Sequence, residues 1–524
     1  MIEQVWRIGS RIIITPMILH RMSLEGYGVW TLLFTICAYV SAIDVNFGVA
    51  YKKFTAELDA QRNYQRLSEL VGAGMMLVGS IAAVALTVIW LLRETLLRAL
   101  NVPEAMLADA GQALLVVSLC VVMRMSVGCT FAIIAGLQRT DLRNLLSILA
   151  SLVEFTVSIV LLIRGWKLLG LALGHLSGQV VSTAAAWVIC RRLCPRLSIS
   201  PLRATRSGLR TMLSMGGRFQ LLAVMQLIIN KGTKLFCAAL LGVYYLGIIE
   251  VADKLIRLGV AVGSGVLAPV MPAFSNLRAR GDERRLRGLM ERGSKMVAAI
   301  CLPTFCFLAV FADRLIELWC GQAYPLAAWT VRMIAPVAYL SMLTGIGTSS
   351  LRAEGNIRIE LNYALVGAGV LALLYYPGYR WLGYHGMIGV EFLAGSVATA
   401  WFFVVFARRQ GVPFAAFART ILLRPLLVLA PVAMLAIWVA SRFVLTFDFP
   451  KARLNILADL AIWGTLFAVT AGLSIWYGLF DRQERATLTA QLLRGRDPQP
   501  IAASNPSAPV APVADAGAAA GQLD

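Results

Sequence analysis

Apolar residues come in long blocks separated by short charged stretches. Leu67–Leu92, Leu145–Ile163, Leu168–Cys190, Met296–Ala312 and Pro425–Val439 each approach the length that a helix needs to cross a bilayer, about 20 residues. Fourteen segments of this kind are expected, near 1–20, 27–50, 67–92, 109–138, 144–163, 168–190, 212–240, 246–273, 294–312, 324–350, 359–377, 383–407, 425–445 and 456–480. All should be α-helices, because a helix satisfies its own backbone groups where no water is present to do so. The Ala/Pro/Ser/Gly-rich stretch within 481–524 is expected to be a disordered tail.

Composition strengthens the membrane reading. Hydrophobic residues are 59% of the 524 and charged residues 15%, against roughly half and about 25% in soluble domains. Mean hydropathy is +0.73. The net charge of +20 would suggest nucleic acid in a soluble chain, but its placement gives another account. Loops after even-numbered segments, with the tail, hold 28 of the 48 Lys and Arg, loops after odd-numbered ones hold nine, and 11 lie within segments. Positive-inside logic puts the richer side in the cytoplasm, with both termini there. The chain is expected to be a multi-pass protein of a bacterial inner membrane, with no nucleic-acid partner. Trp90, Trp166, Trp319, Trp381 and Trp476 fall at segment ends, where an interfacial belt would sit.

Several function classes drop out. No loop exceeds roughly thirty residues, so a soluble catalytic domain has no room, and the chain is not expected to be an enzyme. The nine cysteines make no Cys-x-x-Cys pair, and His20, His175 and His385 are scattered, so no metal or cofactor is expected. Arg7 and Arg11 interrupt the first apolar stretch, which argues against a cleavable secretory signal.

Two stretches resemble each other at an offset of about 215–220 residues: Tyr27-Gly28-Val29-Trp30 with Tyr51-Lys52-Lys53-Phe54, and Tyr245-Leu246-Gly247 with Pro269-Val270-Met271-Pro272-Ala273-Phe274. Gly136–Arg143 and Leu351–Arg358 form a second pair at that offset. Duplicated halves are a common transporter design. The expected fold class is therefore all-α: a polytopic membrane protein of about fourteen transmembrane helices, in two pseudo-symmetric six-helix halves plus two C-terminal helices. The halves would be 1–190 and 212–407, joined by a basic cytoplasmic linker at 191–211 and followed by the last two spans within 408–480.

Glu25-Gly26-Tyr27-Gly28-Val29-Trp30, Asp44-Val45-Asn46-Phe47-Gly48, Leu241–Gly247 with Ala252, Leu267–Pro272, the Arg352–Arg358 turn and Gly383–Gly389 carry a resemblance to a known family. Over about residues 5–410 the chain resembles the O-antigen-type polysaccharide-biosynthesis flippases of the MOP exporter superfamily, which also holds MATE drug exporters and lipid II flippases. The resemblance implies a transporter that moves an undecaprenyl-diphosphate-linked oligosaccharide from cytoplasmic to periplasmic leaflet, working beside a polysaccharide polymerase and chain-length or export proteins. In this family the first helix usually starts a dozen or more residues earlier.

Ionisable residues inside a span are costly and usually line a cavity. A diphosphate calls for Arg and Lys at bilayer depth. The candidates for a cationic cavity are Arg11, Arg124, Arg218, Lys231, Lys234, Arg257 and Arg332. Ser10-Arg11 resembles the Ser-Arg of the lipid II flippases. Asp44, Glu154, Asp253 and Glu391 are candidates for ion coupling. Other readings stand beside these. Lys231 and Lys234 share a helix face and could snorkel to the interface. Glu250 with Lys254, and Asp253 with Arg257, are i,i+4 pairs that could simply neutralise each other. A MATE-like exporter of cations is the alternative function, and it would favour an acidic cavity.

Overall fold

The computed structural model describes residues 2–41, 45–356, 358–410, 419, 423–442, 452–482, 484–486 and 489. Asp44, and the expected tail beyond Thr489, lie outside the described residues. The described residues form helices and no strand. In chain order these are α1 (Ile2–Ser41), α2 (Val45–Ala60), α3 (Tyr64–Ala99), α4 (Glu104–Val127), α5 (Cys129–Gly136), α6 (Thr140–Ile163) and α7 (Lys167–Leu193). A 3-10 turn at Pro201–Arg203 leads to α8 (Arg206–Leu241), α9 (Val243–Leu267), α10 (Val270–Ala279), α11 (Glu283–Val310) and α12 (Ala312–Cys320). The last four are α13 (Pro325–Ala353), α14 (Arg358–Arg409), α15 (Arg424–Arg442) and α16 (Ala452–Gly478). By length and composition, nine helices among the described residues can cross a membrane. The chain is a multi-pass, all-α membrane protein.

Nine is fewer than the fourteen segments that hydropathy suggests, and part of the difference lies in how two helices run. In α14, Gly383 leaves helical geometry (φ 57, ψ −131). A Cβ on Gly386 would stand 1.9 Å from the carbonyl oxygen of Gly378. On a straight helix those residues would be about 12 Å apart, so the chain doubles back at Gly383. Helix α1 does the same at Ser23 (φ 69, ψ 170). Lys254 Nζ is 2.9 Å from Thr15 Oγ1 and 4.8 Å from the Tyr27 ring, which only a folded-back α1 permits. Ser23 Oγ accepts from the Gly26 amide and so helps to start the second arm. Each of these helices thus contains two of the expected segments.

The first half packs α6 on α7, α3 on α4, α4 on α7 and α2 on α5. In the second half α13 packs on α9, α11 and α14. The basic stretch after α7 is not a free linker. Leu197 and Ile199 are buried, the Ser198 amide donates to Ser68 Oγ at 3.0 Å, and Gly72 of α3 leaves no room for a side chain against the Ser200 carbonyl. The basic segment from Glu283 is also not a separate surface helix. It forms the first turns of α11, started by Asp282 Oδ1 accepting from the Arg285 amide at 3.0 Å.

The halves meet through α1 and α9, and α8 packs on α1, α2 and α3 as well. A Cβ on Gly28 would fall 1.8 Å from the Val243 carbonyl oxygen, and one on Gly247 would fall 2.6 Å from the Leu24 carbonyl oxygen. Gly28 and Gly247 are as far apart in sequence as Leu24 and Val243, so the two contacts are one contact made twice about a pseudo-two-fold axis. Such reciprocity is the mark of a self-complementary interface. The Tyr27-Gly28 and Leu246-Gly247 repeats are therefore the faces by which the halves touch, and only glycine fits there.

Gly28→Val should cost about 1–3 kcal/mol through overpacking and lower the Tm of the purified chain in detergent. Gly265 of α9 has open space where a Cβ would go, so Gly265→Val serves as the control. An equal fall in both would contradict the close-contact account.

Candidate functional site

Helices α6 and α7 approach unusually closely. Gly174 of α7 would put a Cβ 2.0 Å from Ser158 Oγ, and Gly178 one 2.7 Å from the Ala150 carbonyl oxygen. Small residues one turn apart are what lets two membrane helices close to this distance. The approach brings α7's His175 to α6's Glu154, with His175 Nδ1 3.1 Å from Glu154 Oε1. Phe34 of α1 packs edge-on against the imidazole, with ring centroids 5.0 Å apart.

Beside this seam lies a cavity of about 590 Å3, whose described lining residues all come from the first half. That volume is typical of small-molecule sites. Among the described residues its cations are Lys52 from α2, Arg124 from α4 and Arg143 from α6, and its acid is Glu154. Ser10, Ser41, Ser147, Ser151, Ser182 and Gln179 supply neutral polar groups, and Phe131 and Phe155 supply rings. Phe155 is held by Trp6 edge-on at 6.1 Å. Among the described residues, neither Lys52, Arg124 nor Arg143 makes a salt bridge with a carboxylate. Three cations around one carboxylate, with no acid closing on any of them, suit an anion.

The cavity lies away from the glycine contact. Ser41 lines it, and Gly28 lies about 20 Å before Ser41 along α1 at 1.5 Å per residue. The cavity thus lies toward the basic stretches at 51–66 and 139–143, and the glycine contact between α1 and α9 lies toward the other end.

Other expected basic residues stand elsewhere, with partners of their own. Lys234 of α8 is 6% exposed, and its Nζ donates to Glu250 Oε2 at 2.6 Å and Asp253 Oδ2 at 2.9 Å, both on α9. Arg257, one turn beyond, donates to the same Asp253 oxygen at 3.1 and 3.0 Å. The ammonium therefore staples α8 to α9. Lys231 is half-buried one turn before Lys234. Arg332 of α13 donates to Asp313 of α12 and to the Ala309 carbonyl. Glu391 of α14 accepts from the Thr233 hydroxyl. The backbone puts Arg11 on α1 and Arg218 on α8, and both side chains lie outside the described residues.

Of the seven basic candidates, then, the structure brings Arg124 to the cavity and gathers Lys231, Lys234 and Arg257 around a separate ion-paired cluster. Lys52, Arg143 and His175 were missed from sequence. Lys52 and Arg143 count there as loop charges that report orientation. The signal available was the periodicity of α6, where Arg143, Ser147, Ser151 and Glu154 recur on one face of an otherwise apolar helix. Near the end of the chain, Lys295 Nζ lies 2.8 Å from Glu484 Oε1. Burial alone would raise the Glu484 carboxyl, but the ammonium outweighs it and holds the group below its ordinary value.

Residues 18–328 match the family described as "Polysaccharide biosynthesis protein". By sequence, no curated protein matches the chain. Among solved structures, the inward-facing conformation of a multidrug resistance MATE family transporter of the MOP superfamily superposes with a TM-score of 0.66, at 14% identity over 80% of this chain and 96% of that one. Lipid II flippase MurJ, in an inward closed conformation, gives 0.65 at 12% identity over 90% and 98%. A mutant of the Vibrio cholerae MATE transporter VcmN gives 0.56 at 14% over 79% and 95%. At these identities the likeness is one of fold.

Lys234→Ala leaves Glu250 and Asp253 buried without their ammonium. It should destabilise the chain by about 3–5 kcal/mol, read as a fall in Tm. Adding Glu250→Gln and Asp253→Asn should recover part of that loss. A Tm unmoved by Lys234→Ala would contradict the stapling role.

Proposed function

The chain belongs to the polysaccharide biosynthesis protein family, and from that premise we propose that it is a transporter, not an enzyme. Its substrate in this reading is an undecaprenyl-diphosphate-linked oligosaccharide, moved from the cytoplasmic to the periplasmic leaflet by alternating access. The observation that carries the reading is the cavity with Lys52, Arg124 and Arg143 around it and, among the described residues, no acid paired to any of the three. A diphosphate is doubly anionic, and in a cleft shielded from water it needs compensating charge that the apolar helices do not give. Arg124 reaches the cavity from the last turn of α4, Lys52 from α2 and Arg143 from the first turn of α6.

The orientation follows from the same charges. Positive-inside placement puts the loops at 51–66, 139–143, 191–210 and 278–295 in the cytoplasm. The cavity then opens to the leaflet where a lipid-linked sugar would be loaded. The α1–α9 contact at Gly28 and Gly247 closes the periplasmic end. Transport requires that contact to part while the cytoplasmic end closes, and a self-complementary contact between two halves can part by rotation about its axis. Cation export is the competing function for this fold. It calls for carboxylates in the cavity, where among the described residues cations outnumber acids three to one.

In proteoliposomes, Arg124→Ala should lower transport of a short-prenyl diphosphate-linked oligosaccharide at least roughly tenfold, as expected for loss of a charge-assisted contact. Lys52→Ala should weaken it less, being nearer water. Ethidium, a cationic dye, should not be moved by the wild-type chain. Ethidium export, together with diphosphate-sugar transport indifferent to Arg124, would transfer the assignment to cation export.

A further inference from the structure

The cavity wall changes chemistry with depth, and the diphosphate accounts for only part of it. On α6, Arg143, Ser147, Ser151 and Glu154 line the cavity in succession. Eleven residues of helix carry the wall from cation through hydroxyl to carboxylate over about 16 Å. Gln179 and Ser182 of α7 face the same space, and Phe155 adds an apolar surface beside Glu154. Gln179 Nε2 donates to Thr183 Oγ1 at 3.0 Å, and Ser182 Oγ donates to the Gln179 carbonyl at 3.0 Å. These side chains are therefore held in place by α7 itself.

Glu154 is set apart from the cations. Its hydrogen-bond partner is His175, through Oε1 at 3.1 Å, and its side chain remains 41% exposed. Nothing ties it to Arg124 or Arg143, so it is not there to cancel them. A carboxylate anchored by one oxygen presents the other to whatever enters. It accepts from hydroxyl or amide donors and repels a second anion.

We infer that this wall reads the sugar joined to the diphosphate: it takes a neutral, hydroxyl- or amide-bearing sugar and rejects a uronic acid at that position. The inference rests on the diphosphate reading above. With the phosphates held by Arg143, Lys52 and Arg124, the first sugar lies over Ser147, Ser151 and Gln179, with its hydroxyls toward Glu154. Phe155 packs against the apolar face of the ring. His175 is a positioning residue, which fixes the Glu154 carboxylate without touching sugar. Discrimination is then built by repulsion as much as by attraction, as specific sites commonly are.

The test uses the full-length chain in detergent and three water-soluble probes: geranyl diphosphate, its N-acetylglucosamine conjugate and its glucuronic acid conjugate. The wild-type chain should bind the N-acetylglucosamine conjugate at least roughly tenfold more tightly than the glucuronate, with geranyl diphosphate between them. Glu154→Gln should shrink that ratio to about threefold or less, because the amide no longer repels. His175→Asn, which frees the carboxylate but keeps it, should narrow the ratio part of the way. Saturable binding of geranyl diphosphate reports that each variant is folded. A wild-type chain that binds none of the three probes overturns the diphosphate reading itself. One that binds all three equally leaves that reading standing and overturns the sugar assignment, as would a ratio undiminished in Glu154→Gln.

Discussion

A charge placed inside a bundle of apolar helices must be matched, and the structure meets that requirement in two different ways. In the second half the matching is internal. Lys234 is enclosed by Glu250 and Asp253, Arg257 shares Asp253, and Arg332 meets Asp313. A buried pair of this kind contributes little net stability, but its loss is costly because the survivor stays charged. In the first half the matching is left incomplete. Lys52, Arg124 and Arg143 surround a cavity whose acid among the described residues, Glu154, is engaged by His175. The same residue types thus act as rivets on one side and as an attractive field on the other.

What makes the incomplete matching tolerable is water. The cavity is open toward the basic loops, so its cations remain solvated until an anion displaces that water. Whether the bundle opens there depends on where the halves touch. The reciprocal approach of Gly28 to the Val243 carbonyl and of Gly247 to the Leu24 carbonyl joins them at the far end. Lys254 reinforces that end by reaching from α9 to both arms of α1. Close backbone approach across a small-residue seam marks that end of the junction, within an apolar core that runs through both halves.

Much of the architecture was legible in the sequence because hydropathy blocks and Lys/Arg asymmetry are properties of whole segments. The repeat at Tyr27-Gly28 and Leu246-Gly247 was legible too, though not the fact that its two copies face each other. That depends on packing, which the spacing of glycines alone does not specify. The site was harder to read. Arg124 was found because it lies far from either end of an apolar stretch. Lys52 and Arg143 were hidden by sitting where loops were expected, in a region where helices α2 and α6 in fact begin early. Lys234 and Arg257 looked like cavity residues because a sequence shows charge at depth but not the carboxylate that answers it across helices. Glu250, on the next helix, could only be paired with Lys234 once α8 and α9 were side by side.

The tether between the halves is shorter than its sequence length suggests. Most of the stretch after α7 is fastened to α3, through Ser198 on Ser68 and through Ser200 against Gly72, before α8 begins at Arg206. Only a handful of residues is left as slack. The second half is therefore leashed to the first beside the opening turns of α3 and cannot draw away from it bodily. Any rearrangement is restricted to a swivel about the root of α8, so that a small angular step there becomes a large sweep at the distal ends of the helices.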